Sequence, residues 1–198
     1  MFKRLNIQHI HRVEDNLAWA RELQKTVQQQ ANTGVISRLT ESIALAAGRQ
    51  HRLAIILLAL SACRFSELKR IELSAIIDNR PQVIIQPKTG ISRLVSEIYL
   101  TDGADTSTLD VTAPVLLQNY ESLRIEMLRC IPSKVRTILK YQNDKTHIFR
   151  HIRASFKSWK GLSTSEISEY FAHQSEEATR EYINTGLFEI FNQTQKGD

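Results

Sequence analysis

Cysteine is scarce in this chain: Cys63 and Cys130 are the two among 198 residues, and they form no CxxC pair. That spacing argues against a disulfide framework and fits a reduced, intracellular environment. Long hydrophobic runs are missing too. The most apolar stretch, Leu53 to Ala62, is too short to span a bilayer and reads as a buried core helix. The N-terminus lacks the apolar segment of a secretory signal, since polar residues follow Met1-Phe2-Lys3-Arg4. No internal repeat is present, and no low-complexity tract beyond Gln28-Gln29-Gln30. The expectation is a soluble cytoplasmic protein with no membrane partner.

What is present is a globular balance, 42% hydrophobic and 24% charged, which excludes an intrinsically disordered chain. The length allows one ordinary domain, with or without a short N-terminal extension. A formal charge of +5 and a pI near 9.3 favour a polyanionic partner, nucleic acid among them.

Along the chain, Val13, Leu17, Ala20, Leu23 and Val27 recur at spacings of three and four, one apolar stripe on a helix from about 12 to 30. Ala31-Asn32-Thr33-Gly34 breaks that helix and is the candidate hinge between an extension (1–34) and a domain (35–198). A second helix is expected from about Ser37 to Gly48, and a buried one from Gln50 to about Cys63. The period then changes. Val83-Ile84-Ile85 is β-branched, residues 94–100 alternate, and Gln86-Pro87-Lys88-Thr89-Gly90 between them has turn chemistry. This predicts a small antiparallel sheet. Helices are expected again over 113–130, 133–142, 147–160, 164–172, 176–184 and 187–193. Ser163 and Glu166 suit a capping box, and Gly161 suits a helix stop. The expected class is mainly α with a small antiparallel β-sheet, α+β by composition.

The residues that carry chemistry lie in four short stretches: Arg64 with Glu67, Lys88, His147-x-x-Arg150-His151, and His173 followed nine positions later by Tyr182. Arginine binds two phosphate oxygens at once and stays charged. Taken alone, Arg64 or Arg150 reads as a surface ion-pair residue, and Glu67 three positions after Arg64 is an ordinary helical partner. His147 and Arg150 share one helix face, as residues three apart do. His147 and His151 are four apart, which raises a zinc reading. A metalloprotease-type helix would need Glu at position 148, where this chain has Ile148. Lys88 alone reads as an exposed turn lysine. Tyr120, Tyr141 and Tyr170 read as core aromatics, whereas Tyr182 follows the polar Thr179-Arg180-Glu181.

Taken in order, these motifs resemble the catalytic domain of the tyrosine recombinases, the phage integrase family. The resemblance runs from about residue 35 to the C-terminus and implies that fold. It also implies roles: Arg64, His147, Arg150 and His173 around a scissile phosphate, Lys88 as the acid that protonates the departing 5′-oxygen, and Tyr182 as nucleophile. Glu67 and His151 would support them from behind. The implied activity is DNA cleavage and rejoining through a 3′-phosphotyrosyl link, with no cofactor, metal or ATP. The implied partners are double-stranded DNA and further copies of the chain, a monomer when free and a tetramer on DNA. Residues 187–198 form a tail helix that either folds onto its own core or docks on a neighbouring protomer. About 34 residues precede the domain, too few for the family's usual N-terminal clamp. The chain is thus similar to short, catalytic-domain-only members, or depends on an accessory DNA-binding protein. A topoisomerase-like use of the same residues, and a non-catalytic DNA-binding regulator on this fold, are the alternatives. Two positions depart from the family pattern: Ala62 and Ala172 stand where glycine is usual.

Overall fold

Eleven helices carry the described part of the fold, and one of them organises the rest. The computed structural model of the protein describes residues 7–68, 70–85, 92–95, 98–112, 120–139 and 147–195. The organising element is α3 (Arg52–Ser61), in which every residue from Leu53 to Ser61 is buried. A helix that is apolar all round has no face to offer water, so other elements must surround it. The long α1 (Ile7–Asn32) packs along it and buries Trp19, Ala20, Leu23 and Val27. Of the expected stripe, Leu17, Ala20, Leu23 and Val27 are buried, Trp19 joins them, and the Val13 side chain lies outside the described residues. Next comes α2 (Arg38–Leu45), which starts at Ser37, whose hydroxyl accepts the Thr40 amide N–H.

Two short helices absent from the sequence reading, α4 (Phe65–Leu68) and α5 (Leu73–Ile77), follow α3. Beyond the middle of the chain come α6 (Tyr120–Cys130), α7 (Ser133–Ile138), α8 (Ile148–Trp159), α9 (Thr164–Phe171) and α10 (Glu176–Arg180). A 3₁₀ turn (Thr185–Leu187) then leads into α11 (Phe188–Thr194). Gly161, with φ of +96°, ends α8 where an L side chain would be strained. Ser163 and Glu166 make the full capping box at the start of α9.

The expected α+β class is overturned: the protein is mainly helical. Strand pairing among the described residues is limited to β1 (Gln82–Ile85) against β2 (Ser92–Val95), with Gln82 opposite Val95 and Ile85 opposite Ser92. An isolated two-stranded ribbon of four residues a side is no sheet layer, and it defines no fold class. The alternation over residues 94–100 misleads because its second half serves a different purpose. Ile98 enters the helical core, and the Tyr99 carbonyl accepts the Thr26 hydroxyl of α1 at 2.6 Å. The same loop is tied again where Trp19 Nε1 donates to the Asp110 carbonyl at 2.9 Å. Here the chain is tied to a helix.

The C-terminal tail packs in cis. Leu187 and Phe191 are fully buried, the Phe191 ring meets Phe156 edge-on at 5.2 Å, and Trp159 Nε1 donates to Asn192 at 3.1 Å. Of the tyrosines read as core, Tyr120 is exposed and lies edge-on to Phe65, and Tyr170 is half-buried. Tyr141 lies outside the described residues. Among the described residues, no helix is long and apolar enough to cross a membrane.

Candidate active site

The site forms where α8 crosses the C-terminal end of α3. The last carbonyls of a helix have no intrahelical donors and carry partial negative charge. Two arginines of α8 supply donors there. Arg153 Nη2 donates to the Ala59 and Leu60 carbonyls at 2.8 and 3.1 Å, and Arg150 Nη1 donates to the Ala62 carbonyl at 3.2 Å. Both arginines are buried, which their helix-end partners make tolerable. The apolar side of α8, with Phe149, Ile152 and Phe156, faces the main core. Its polar side carries His147, Arg150, His151, Arg153 and Ser155.

Ala62 ends α3 in the left-handed conformation, φ 47° and ψ 31°, and turns the chain toward Arg64. Arg64 is then held from beneath by Glu67, which is fully buried. The Glu67 carboxylate accepts the Arg64 backbone N–H at 2.8 Å and its guanidinium at 3.1 Å. The Arg64 side chain keeps 29% of its surface exposed, so a buried carboxylate aims a solvent-facing cation.

A second left-handed alanine, Ala172 at φ 49° and ψ 50°, ends α9 and delivers His173. His173 Nε2 meets Arg150 Nη2 at 2.9 Å, and its Nδ1 meets the Thr179 hydroxyl at 2.8 Å. Tyr182, just beyond α10, lays its ring on this layer. It stacks on His173 with centroids 5.2 Å apart and planes 23° apart, and lies 4.6 Å from the His151 ring. The Arg150 guanidinium sits 5.2 Å from the Tyr182 ring centre and 4.6 Å from that of Phe171. The Tyr182 hydroxyl points to His147 Nδ1 at 3.4 Å. Ser155 fixes the backbone around Tyr182, donating to its carbonyl at 3.3 Å and accepting the Asn184 N–H at 2.8 Å.

Of the sequence-chosen residues, His147, Arg150, His151, His173 and Tyr182 come together around one ring, and Arg64 with Glu67 stands just past the α3 end that Arg150 holds. Lys88 lies outside the described residues. His147 and His151 both turn to Tyr182, and among the described residues no three His, Cys, Asp or Glu side chains gather as a metal site. Three contributors escaped the sequence reading: Arg153, Ser155 and Thr179. Only Arg153 left a trace, as a second arginine one turn after Arg150 on the same helix face.

Chemically, the cluster offers a phenol beside an imidazole, with the Arg150 guanidinium close to the phenol ring and to a second imidazole. At the cap of α9, hydrogen bonds from the Ser163 hydroxyl and backbone lower the Glu166 pKa. At the opposite end of α3, a cleft of about 630 Å³ holds His51, whose Nε2 is 2.8 Å from the Ser122 hydroxyl. Burial lowers the His51 pKa, and Glu126 opposes that shift. No protein family, curated protein or solved structure matches the chain.

Proposed function

We propose that the protein is a site-specific DNA recombinase of the tyrosine type, acting in the cytoplasm on nucleoid DNA for integration, excision or inversion. The observation that carries this reading is the Tyr182 hydroxyl beside His147 Nδ1, at 3.4 Å, in a layer with Arg150 and His173. A phenol has a pKa of about 10 and needs a base and nearby cations to attack at neutral pH. His147 takes the phenolic proton as the Tyr182 oxygen bonds to phosphorus. The P–O5′ bond breaks, and the 5′-oxygen leaves with a proton, from Lys88 if the resemblance holds there. Arg64 and Arg150 neutralise the non-bridging oxygens. The phosphotyrosyl bond conserves the phosphodiester's energy, so the reverse attack by a 5′-hydroxyl needs no ATP. Four protomers on two DNA sites, with or without an accessory DNA-binding protein, complete strand exchange.

One observation favours a second reading, a DNA-binding regulator without cleavage activity. Arg150 is fully enclosed, with one nitrogen on the Ala62 carbonyl and another on His173. One experiment separates the two. On nicked suicide duplexes in EDTA, the wild-type protein forms a covalent adduct and Tyr182→Phe forms none while still binding DNA. Binding without any adduct, across a library of duplexes, supports the regulator instead. Equal adduct from the wild type and Tyr182→Phe removes Tyr182 from the site.

A further inference from the structure

We infer that Thr179 is a positioning residue that fixes His173 as the neutral, Nδ1-protonated tautomer with its Nε2 lone pair aimed at Arg150. The assignment follows from donor inventory. A guanidinium has five N–H donors and no acceptor, so the 2.9 Å contact from Arg150 Nη2 requires an unprotonated Nε2 on His173. An imidazolium would set N–H against N–H between two cations. A neutral ring with a bare Nε2 carries its proton on Nδ1. That proton faces the Thr179 hydroxyl at 2.8 Å, which must therefore accept it.

Thr179 is fully buried, so no water replaces its hydroxyl cheaply, and an Nδ1–H left without an acceptor is costly. The same residue also holds the tyrosine. Its carbonyl accepts the Tyr182 backbone N–H at 2.9 Å. One threonine thus fixes the plane of His173 through its side chain and the start of the Tyr182 segment through its backbone. The two rings it ties are the pair that stack 5.2 Å apart. The consequence for catalysis rests on the recombinase reading: in the DNA-free site, the His173 edge facing the phosphate-binding guanidinium is an acceptor. A phosphate oxygen is an acceptor as well, so His173 in this tautomer cannot donate to it through Nε2.

The test reads the tautomer directly, on DNA-free protein carrying ¹⁵N-labelled histidine. Long-range ¹H–¹⁵N correlation of His173 is expected to show a protonated Nδ1 and an unprotonated Nε2 in the wild type. Thr179→Ser keeps that pattern. Thr179→Val, of equal shape but without the hydroxyl, loses the single-tautomer pattern. The rate of adduct formation on suicide duplexes then falls about 10- to 100-fold for Thr179→Val, the scale on which outer partners of a working histidine act, and recovers in Thr179→Ser. An Nε2-protonated or doubly protonated His173 in the wild type overturns the inference, and so does an unchanged pattern in Thr179→Val. Wild-type protein that shows the expected tautomer but forms no adduct counts against the recombinase reading alone.

Discussion

Among the described residues, two hydrophobic clusters are built on different terms. The large one gathers side chains from α1, α2, α3, α6, α7, α8 and α11 around Leu53–Leu60, and it is almost wholly aliphatic and aromatic. The small one consists of Ala62, Ala154, Ile167 and Phe171, with Tyr170 and Tyr182 leaning on it. Around the small cluster sit two buried arginines, buried Ser155 and Thr179, and two alanines in left-handed conformation. The other non-glycine residue with positive φ among the described residues, Asn79, is of a type that tolerates it. Buried charge and backbone strain are thus concentrated at one end of α3. Such features persist where the surroundings over-determine them, and they mark sites that work better than they pack.

The widest gap between the clusters should open at the tail. Phe191 is fully buried against Phe156 and Trp159 in the large cluster. Phe191→Ala is expected to cost about 3–5 kcal/mol of stability in urea unfolding, as buried aromatic truncations do. A loss under about 1 kcal/mol would show that the tail is not anchored in cis in solution and would favour its docking on a neighbour.

Arg150→Ala should behave in the opposite sense, with function hit harder than folding. If Arg150 binds the scissile phosphate as proposed, removing it costs about two orders of magnitude or more in rate. The accompanying stability loss should be about 1–3 kcal/mol, the cost of leaving the Ala62 carbonyl without its buried donor. Near-wild-type adduct formation by a variant destabilised by more than about 3 kcal/mol would make Arg150 a structural strut and the contrast between the clusters false.

The same contrast explains what the sequence made legible. Periodicity reports burial, so the α1 stripe, the apolar α3 and the tail helix could be read from it. Capping chemistry is local, so Ser163 with Glu166 and the stop at Gly161 could be read as well. His147, Arg150, His173 and Tyr182 were picked out by their order and spacing, each being ordinary alone, and the structure brings them around one ring. Thr179 and Ser155 were not legible, because a buried hydroxyl accepting one hydrogen bond looks in sequence like any surface threonine or serine. The strand pattern failed at residues 98–100 because alternation records which side chains are buried and not what the backbone pairs with. The left-handed turns at Ala62 and Ala172 were visible as departures from a family pattern, but their backbone conformation was not.

Acid should probe the opposite end of α3. Burial lowers the pKa of His51, so the unfolded chain binds its proton first. The stability tied to this group is therefore fully present above about pH 6.5, the ordinary histidine value, and is lost as pH falls below it. One proton bounds the slope at about 1.4 kcal/mol per pH unit. Urea midpoints between pH 7 and pH 5 should fall less in His51→Gln than in the wild type. An identical fall in both proteins would mean that His51 is not held neutral and that acid acts elsewhere, including at the site cluster.

The smallest effects should separate the two strained alanines from each other. An L residue in the left-handed region costs about 1–2 kcal/mol, and glycine relieves this while adding about 0.5–1 kcal/mol of backbone entropy to the unfolded chain. Ala172 is partly exposed, so its methyl contributes little packing, and Ala172→Gly should stabilise the protein by about 0.5–1 kcal/mol. Ala62 has the same backbone geometry, but its methyl is fully buried in the small cluster. Losing a buried carbon of that size costs about 0.8 kcal/mol, which cancels the relief, so Ala62→Gly should lie near zero. Equal gains at both positions would show that the small cluster contributes no packing energy at Ala62. A loss at Ala172 would show that its methyl helps hold Phe171 and His173 in register. That loss should then appear as a slower adduct rate in Ala172→Gly, because the same turn delivers His173 to Arg150.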